Sequence, residues 1–350
     1  MVEMTDELSR AYDAVVIGGG AAGLSGALTL ARARRTVAVI DAGAPRNAPA
    51  AAVHALFALD GTSPAELLER GRAEVRRYGG HVVSGEVGAV TRSEPEPGAG
   101  AGSGPGFTVA LADGRSVRAR RLLVASGLTD ELPDVPGLRE RWGRDVLHCP
   151  YCHGWEVRDQ AIGVLATGPM ALHQAQLFRQ LSRDVVLFSH TGPAPEGEEA
   201  DQLAARGIRV VTGEVAALET VDDRLAGVRL RDGRVVGREA LAVASRMAAR
   251  AGFLAELGLK TQEHPAGVGE YVPSGPGGRT EVPGVWVAGN VTDPIAQVGA
   301  AAAAGTGAAV QINADLIDEE TRRAVAAHPF SPRAEARVSA AVTGDSRHGL

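Results

Sequence analysis

Two clusters in this sequence carry recognisable chemistry, and the first is Cys149-Pro-Tyr-Cys152. These are the only two cysteines among 350 residues. That is too few for a disulfide scaffold and short of the four ligands of a tetrahedral zinc site. Two thiols with two residues between them can close a small disulfide, and the thiolate is the reactive form. Pro150 suits the first turn of a short helix, whose N-terminus would favour one thiolate. His148 and His153 flank the pair. An imidazole that titrates near neutrality can take a proton from an incoming thiol and return one to a leaving thiolate. Cys149, Cys152, His153 and His148 are therefore the candidate catalytic residues. Two Cys and two His also form a zinc ligand list, but ligands this crowded in sequence suit few tetrahedral sites, so no metal is expected.

The second cluster is Gly18-Gly-Gly20-Ala-Ala-Gly23, a G-x-G-x-x-G pattern. Gly18 permits a tight turn, Gly20 lets backbone N–H groups approach a pyrophosphate, and Gly23 allows a helix to pack closely on a strand. The pattern alone is weak, so its setting decides. Tyr12-Asp-Ala-Val-Val-Ile17 reads as a buried parallel strand, Ala21 to Arg35 as a helix and Thr36-Val-Ala-Val-Ile40 as a second strand. Asp41 ends that strand, where a carboxylate accepts hydrogen bonds from a ribose diol and repels a 2′-phosphate. The ligand is then FAD or NAD rather than NADP, and the spacing does not choose between them.

These clusters must be positioned by an α/β framework. Aromatics make up 4% and hydrophobics 45% of the chain, and 45 residues are glycine, about twice the usual share. An aliphatic core with many tight strand–helix turns fits, and intrinsic disorder does not. The net charge of −6 offers no global attraction to nucleic acid or an anionic membrane. Met1 to Arg10 lacks an apolar signal segment, and Ile295 to Val310 is too short to span a bilayer, so a soluble cytoplasmic protein is expected.

Ser63 to Tyr78 reads as a helix opened by Pro64. His81–Thr91, Phe107–Leu111 and Arg115–Leu123 suggest an antiparallel meander, interrupted by the low-complexity loop Ser93–Gly106. A second βαβ-like unit follows with strand Ala161–Leu165, helix Met170–Ser182 and strand Asp184–Phe188. Strands recur over residues 207–244 with a turn at Asp232-Gly233, then a strand at Val285–Ala288 and a helix from Ala296 to Leu316. Residues after Ala327 read as a frayed tail. The plan is two nested Rossmann-like dinucleotide-binding domains, with residues 1–132 and 248–327 forming one, 133–247 the other and 328–350 a disordered tail.

Three more segments make the chain resemble the low-molecular-weight thioredoxin reductase family over residues 11–318. They are Leu122-Leu-Val-Ala-Ser-Gly127 with Pro133, Pro136 and Gly137; His148-Cys-Pro-Tyr-Cys152; and Val282-Pro-Gly-Val-Trp-Val-Ala-Gly-Asn290-Val-Thr-Asp293. The resemblance implies a three-layer ββα fold, FAD at the first site and a homodimer. It places Ala22, Arg46, Asn47, Val87, Ser126, Gly127, Gly289 and Asn290 around the cofactor, beside Gly18, Gly20, Gly23 and Asp41. Backbone N–H groups of Gln297 and Val298 would meet the flavin N1/O2 edge, where a helix N-terminus stabilises negative charge. Asn290 departs from the family's usual Asp. His54 and Trp155 are candidates for a substrate pocket.

The second unit lacks what its NADPH-dependent relatives carry. Its glycine fingerprint reads Leu165-Ala-Thr-Gly-Pro-Met-Ala171, with Ala166 for the first glycine and Pro169 removing a donor. Ser189 to Glu199 offers glutamates where a phosphate would need arginines, and the stretch after the last strand is Ala244-Ser-Arg-Met247. NAD(P)H is thus expected to bind poorly or not at all, with a drifted NADH site as the alternative. With Cys149-Pro-Tyr-Cys-His-Gly-Trp-Glu156, this resembles the branch that contains the dithiol oxidases of gliotoxin and holomycin biosynthesis. That implies a small-molecule dithiol as substrate, Cys152 as the flavin-facing sulfur and oxygen as acceptor. The alternatives are an NAD(P)H-dependent thioredoxin-disulfide reductase and a non-catalytic flavoprotein redox sensor.

Overall fold

A computed structural model describes residues 6–93, 106–168, 170–328 and 332–345. Most of the low-complexity loop and Pro169 therefore lie outside the described residues. The first elements are β1 (Ala11–Ile17), α1 (Ala21–Arg32), β2 (Val37–Asp41), α2 (Pro64–Arg77), β3 (His81–Ser84), β4 (Val87–Ser93), β5 (Gly106–Leu111) and β6 (Ser116–Val124). The next are β7 (Leu128–Glu131), α3 (Leu138–Arg141), β8 (Val146–Leu147), α4 (Pro150–His153), β9 (Ile162–Leu165), α5 (Ala171–Phe178), β10 (Val185–Phe188) and α6 (Gly197–Ala205). Then come β11 (Arg209–Val211), β12 (Val215–Val221), β13 (Arg224–Leu230), β14 (Val235–Gly237), β15 (Ala240–Val243) and β16 (Arg246–Ala249). The last are β17 (Gln262–Glu263), β18 (Glu270–Tyr271), β19 (Val285–Val287), α7 (Val298–Ala327) and α8 (Pro332–Asp345).

The first sheet runs β3-β2-β1-β6-β5-β4, with β19 beside β6. Strand β6 serves two layers. Its first half pairs antiparallel with β5, and Leu122–Val124 pair parallel with Val285–Val287. Alternation along β1 explains the two cores. Ala14 and Val16 pack toward α1 and α7, while Val15 and Ile17 face the meander with Phe107 and Val109. The run His81–Thr91 is not one meander strand. β3 pairs parallel with β2, because α2 returns the chain in a β-α-β crossover, and only β4 joins the meander.

The second sheet, β11-β10-β9-β15-β8, is wholly parallel. Ala171, Ala175 and Phe178 of α5 cover one face, and Val215, Leu218 and Val228 of the antiparallel β12-β13-β14 layer cover the other. The chain crosses between the sheets at β7 and β16, which pair as an antiparallel ribbon.

Helix α7 continues past Leu316, the end expected from its apolar run, because its charged second half is paired with the sheet. Arg121, 2% exposed, binds Asp315 at 2.5 Å and Glu319 at 2.6 Å. Arg120 and Arg35 reach Glu320 at 2.8 and 2.6 Å. The tail also differs from its expectation, since Pro332–Asp345 forms α8, opened by Pro at a position that needs no donor. Among the described residues no helix is long and apolar enough to cross a membrane.

Helices α1 and α7 meet through glycines. A Cβ on Gly305 would run into the Ala22 carbonyl, whereas one on Gly307 of the same helix would meet nothing within 4 Å. Gly305→Ala is therefore expected to destabilise the protein by about 1–3 kcal/mol through overpacking. Gly307→Ala should stabilise it by up to about 1 kcal/mol. Urea unfolding of the two variants measures both.

Candidate active site

The glycine turn is built as its sequence requires. Gly18 has φ +107°, and a Cβ there would strike the backbone of Ala125. A Cβ on Gly23 would strike the Gly18 carbonyl, so Gly23 packs the helix and does not line the cavity. Gly20 has open space around it and is the N-cap of α1, with no side-chain cap. The first N–H groups of α1 thus remain available to an anion. Asp41 lines the cavity at the end of β2, its Oδ1 accepting from Gly43 N at 3.2 Å and its Oδ2 from Arg72 at 3.2 Å. Arg72 went unnoticed in the sequence, since nothing in α2 marks it as facing β2.

The loop before α7 completes the cradle. Gly289 has φ +73° and leaves room for Ala22. Asn290 Nδ2 donates to the carbonyls of Asp293, Pro294 and Ala296 at 3.0, 3.2 and 2.9 Å. An aspartate here would set a carboxylate against three acceptors, which gives a physical reason for the departure to Asn. Gln297 is the N-cap of α7 without a side-chain cap, and Val298 follows in the uncapped first turn. Ser126 Oγ donates to the Arg250 carbonyl at 2.6 Å, and Gly127, at φ +70°, accepts from Arg250 N at 3.0 Å. Asn47, Val87, Ser126, Gly127, Gly289, Asn290, Gln297 and Val298 all line the same cavity.

That cavity has a volume of about 1500 Å³ and extends from the glycine turn to Cys149 and Cys152. It exceeds the ~300–1,000 Å³ of a pocket for one drug-sized molecule. Open backbone at Gly20, two uncapped helix N-termini and the Asp41 carboxylate at the cavity wall fit a dinucleotide such as FAD.

Arg46 lines the cavity and is bound into the protein on its other side. Its guanidinium forks Asp130 at 2.8 and 2.7 Å and donates to the Pro294 carbonyl at 3.1 Å. Ser245 Oγ donates to the same Asp130 at 2.6 Å. Burial would raise the Asp130 pKa, but the Arg46 fork outweighs it and holds the group below its ordinary value. Asp130 sits on β7 of the crossing ribbon and Ser245 immediately before β16, and both went unread in the sequence because their partner is far off in the chain.

Cys149 is the N-cap of the single-turn helix α4, whose Cys152 and His153 N–H groups reach the Cys149 carbonyl at 3.3 and 3.2 Å. The segment before it is pinned by Gln174 Nε2, which donates to the His148 carbonyl at 2.7 Å. The two thiols are not bonded to each other, but their sulfurs are in close contact at 2.7 Å, with Cys152 the donor. That hydrogen bond, helped by the backbone N–H groups of Cys152 and Tyr151 and by the Arg46 cation, lowers Cys149 to about 7 against the effect of burial. The same contact, burial and the neighbouring thiolate push Cys152 up. One sulfur is thus a thiolate near neutrality and the other its proton donor.

Both flanking histidines line the cavity. Burial holds His148 below its ordinary value, with Arg46 adding to the effect and Asp130 opposing it. Its Nδ1 lies 3.2 Å from the Val243 carbonyl, which makes Nδ1 the protonated nitrogen and Nε2 the acceptor. Burial also lowers His153, opposed by Glu156 and reinforced by His54. His153 Nε2 is buried with no hydrogen-bond partner. His54 lines the cavity, whereas Trp155 is 65% exposed with Arg158 stacked 4.3 Å over its ring. Among the described residues no cluster of three or more His, Cys, Asp or Glu is placed to hold a metal.

In the second unit, Thr167 and Gly168 reach the cavity, and Thr167 Oγ1 is spent on the Ala244 carbonyl at 2.7 Å. Past β10, α6 opens with Glu196 as N-cap and carries Glu198 and Glu199 in its first turn.

A glycine-cradled nucleotide cleft shared with a reactive dithiol defines a flavin-dependent disulfide oxidoreductase. Residues 12–305 match the pyridine nucleotide-disulphide oxidoreductase family, and the chain belongs to it. A protein of Claviceps purpurea named thioredoxin reductase tcpT is 32% identical over 290 residues, covering 81% of this chain and 87% of that protein. Thioredoxin reductase sirT of Leptosphaeria maculans is 30% identical over 317 residues, covering 86% and 93%. The crystal structure of HlmI superposes with a TM-score of 0.84 at 46% identity, covering 96% of this chain and all of that one. The enzyme is a FAD-binding oxidoreductase of the thioredoxin reductase type.

Two outcomes follow from the geometry. In Cys152→Ala the Cys149 thiolate loses its donor. The pH of half-maximal iodoacetamide labelling at Cys149 should then move up from about 7 toward the ~8.5 of a free thiol. Asn290→Asp should weaken FAD binding by about 1–2 kcal/mol, roughly five- to thirtyfold in Kd by fluorescence titration.

Proposed function

We propose that the protein is a dithiol oxidase that converts a small-molecule dithiol to its disulfide, with oxygen as the final acceptor. The observation that carries this reading is that the dithiol and the FAD cradle line one cavity while the second nucleotide site is eroded. Thr167 is occupied by a backbone carbonyl, and glutamates stand where a 2′-phosphate would be held. The likeness of the Cys149–Glu156 stretch to disulfide-forming enzymes supports it.

The chain's own residues account for the thiol chemistry. In the oxidised pair, a substrate thiolate attacks Cys149; the Cys149–Cys152 bond breaks and Cys152 leaves with the electron pair. The second substrate thiolate attacks the substrate sulfur now bonded to Cys149, forming the product disulfide and expelling Cys149 as a thiolate. A pKa of about 7 makes Cys149 the better leaving group for this second step. His153 receives the first thiol proton in its neutral form, which its buried setting favours, returns it to the departing Cys152 sulfur, and is then free to take the second thiol proton as Cys149 leaves as a thiolate. Bound FAD supplies two-electron acceptance from the thiol pair and reoxidation by oxygen, with hydrogen peroxide as the product.

The test is anaerobic mixing with the flavin spectrum as readout. NADPH or NADH should leave the oxidised flavin unchanged, while dithiothreitol should bleach it. In air, dithiothreitol should drive oxygen uptake that Cys152→Ser reduces at least about 100-fold, in the range of losing an essential covalent group. Rapid bleaching by NADPH would instead establish the reductase direction, and no turnover with any dithiol would favour a redox sensor.

A further inference from the structure

Between β2 and α2 the chain runs from Ala42 to Ser63 without a helix or strand. Irregular connections of this length are uncommon in compact domains and are usually functional. This one is fastened along its course to the ribbon and to the other half. The Ala44 carbonyl accepts from Arg250 at 2.9 Å, and Arg46 forks Asp130. Pro49 lies against Gly143: a Cβ on Gly143, at φ +80°, would stand 2.5 Å from the Pro49 Cβ and 3.2 Å from its carbonyl carbon. His54 Nε2 comes within 3.4 Å of Glu156 Oε1. Past that point the connection is braced on itself. Val53 N donates to the Thr62 carbonyl and Ala55 N to Asp60 Oδ1, both at 2.8 Å.

The last two attachments bracket the dithiol. Gly143 precedes it, its N–H donating to the Val146 carbonyl at 2.9 Å at the start of β8, and Glu156 follows α4. Between the attachments, Pro49, Ala50, Ala52, Val53 and His54 line the cavity that also holds Cys149 and Cys152, whereas Ala51 is exposed and does not. The run Pro49-Ala-Ala-Ala-Val53 carries no charge, and its three middle side chains are single methyl groups.

We propose that Pro49–His54 is a strap across the dithiol that selects which thiols reach Cys149, with Ala50 and Ala52 as specificity-determining residues. That the selected molecule is a dithiol to be oxidised rests on the oxidase reading. A strap held on both sides of the cysteines obstructs a thiol carried on a folded protein, while a compact dithiol can enter between the strap and α4. The strap makes no bond and moves no proton. It acts through volume, so a larger side chain at 50 or 52 takes up space that the incoming thiol needs, and one at 51 does not.

The test uses the FAD-loaded protein with its dithiol reduced and reads alkylation at Cys149 by peptide mass spectrometry. The probes are iodoacetamide, which is compact, and fluorescein-5-maleimide, which is bulky. Cys149 should disfavour the bulky probe at least about tenfold more than N-acetylcysteine does at the same pH. Ala50→Leu and Ala52→Leu should slow iodoacetamide at Cys149 at least about tenfold, while Ala51→Leu should react at the parent rate. Discrimination no greater than that of N-acetylcysteine, or leucine at 50 and 52 no slower than leucine at 51, would overturn the proposal. The first comparison needs no substitution and holds even where a variant loses FAD. Labelling proceeds without turnover, so labelling as expected beside a failure to oxidise any dithiol would sink the oxidase reading and leave the strap standing.

Discussion

The arrangement of the whole site depends on one buried fork, Arg46 on Asp130. The two sheets are joined by the β7–β16 ribbon, on which Asp130 stands. Asp130, 8% exposed, can stay ionised there only with a partner of opposite charge. Arg46 supplies it from the cradle side, and another of its N–H groups reaches the Pro294 carbonyl in the loop before α7. One guanidinium thus ties three distant segments. Its field still reaches Cys149 and Cys152, where it favours thiolate over thiol. The cation that ties these segments thus also adds to the effect of the Cys152 hydrogen bond on Cys149.

The cradle shows a second constraint, close approach of backbones. Gly26 and Gly305 let α1 and α7 touch. That contact is what brings two uncapped helix N-termini to one cavity, where their partial positive charge suits phosphates and the electron-rich edge of a reduced flavin. Asn290 closes the intervening loop with an amide rather than a carboxylate. The local field is thereby left to helix ends and backbone donors.

What could be read from the chain beforehand was whatever is local. The glycine turn, β1, α1, β2 and the start of α2 at Pro64 follow from neighbouring residues, and the structure places them within a few positions of expectation. The cysteine pair was equally plain. Asp130, Ser245 and Arg72 were not, because each matters through a partner brought close only by the fold. The end of α7 was misjudged for the same reason: its polar half looks exposed until Arg120 and Arg121 are seen beneath it. β3 was merged with β4 because alternation marks a strand but not its direction.

The nesting of one half inside the other has a consequence for how the protein is made. Gly18 leaves the ribosome early, whereas Asn290 and Gln297, the other wall of the same cradle, come after the entire second sheet. Strand β6 must therefore wait for β19 with its inner edge half paired. The inserted half, contiguous in sequence, can close its own core meanwhile. Cofactor capture is thus a late event in synthesis, and the dithiol is in place before there is a flavin for it to meet.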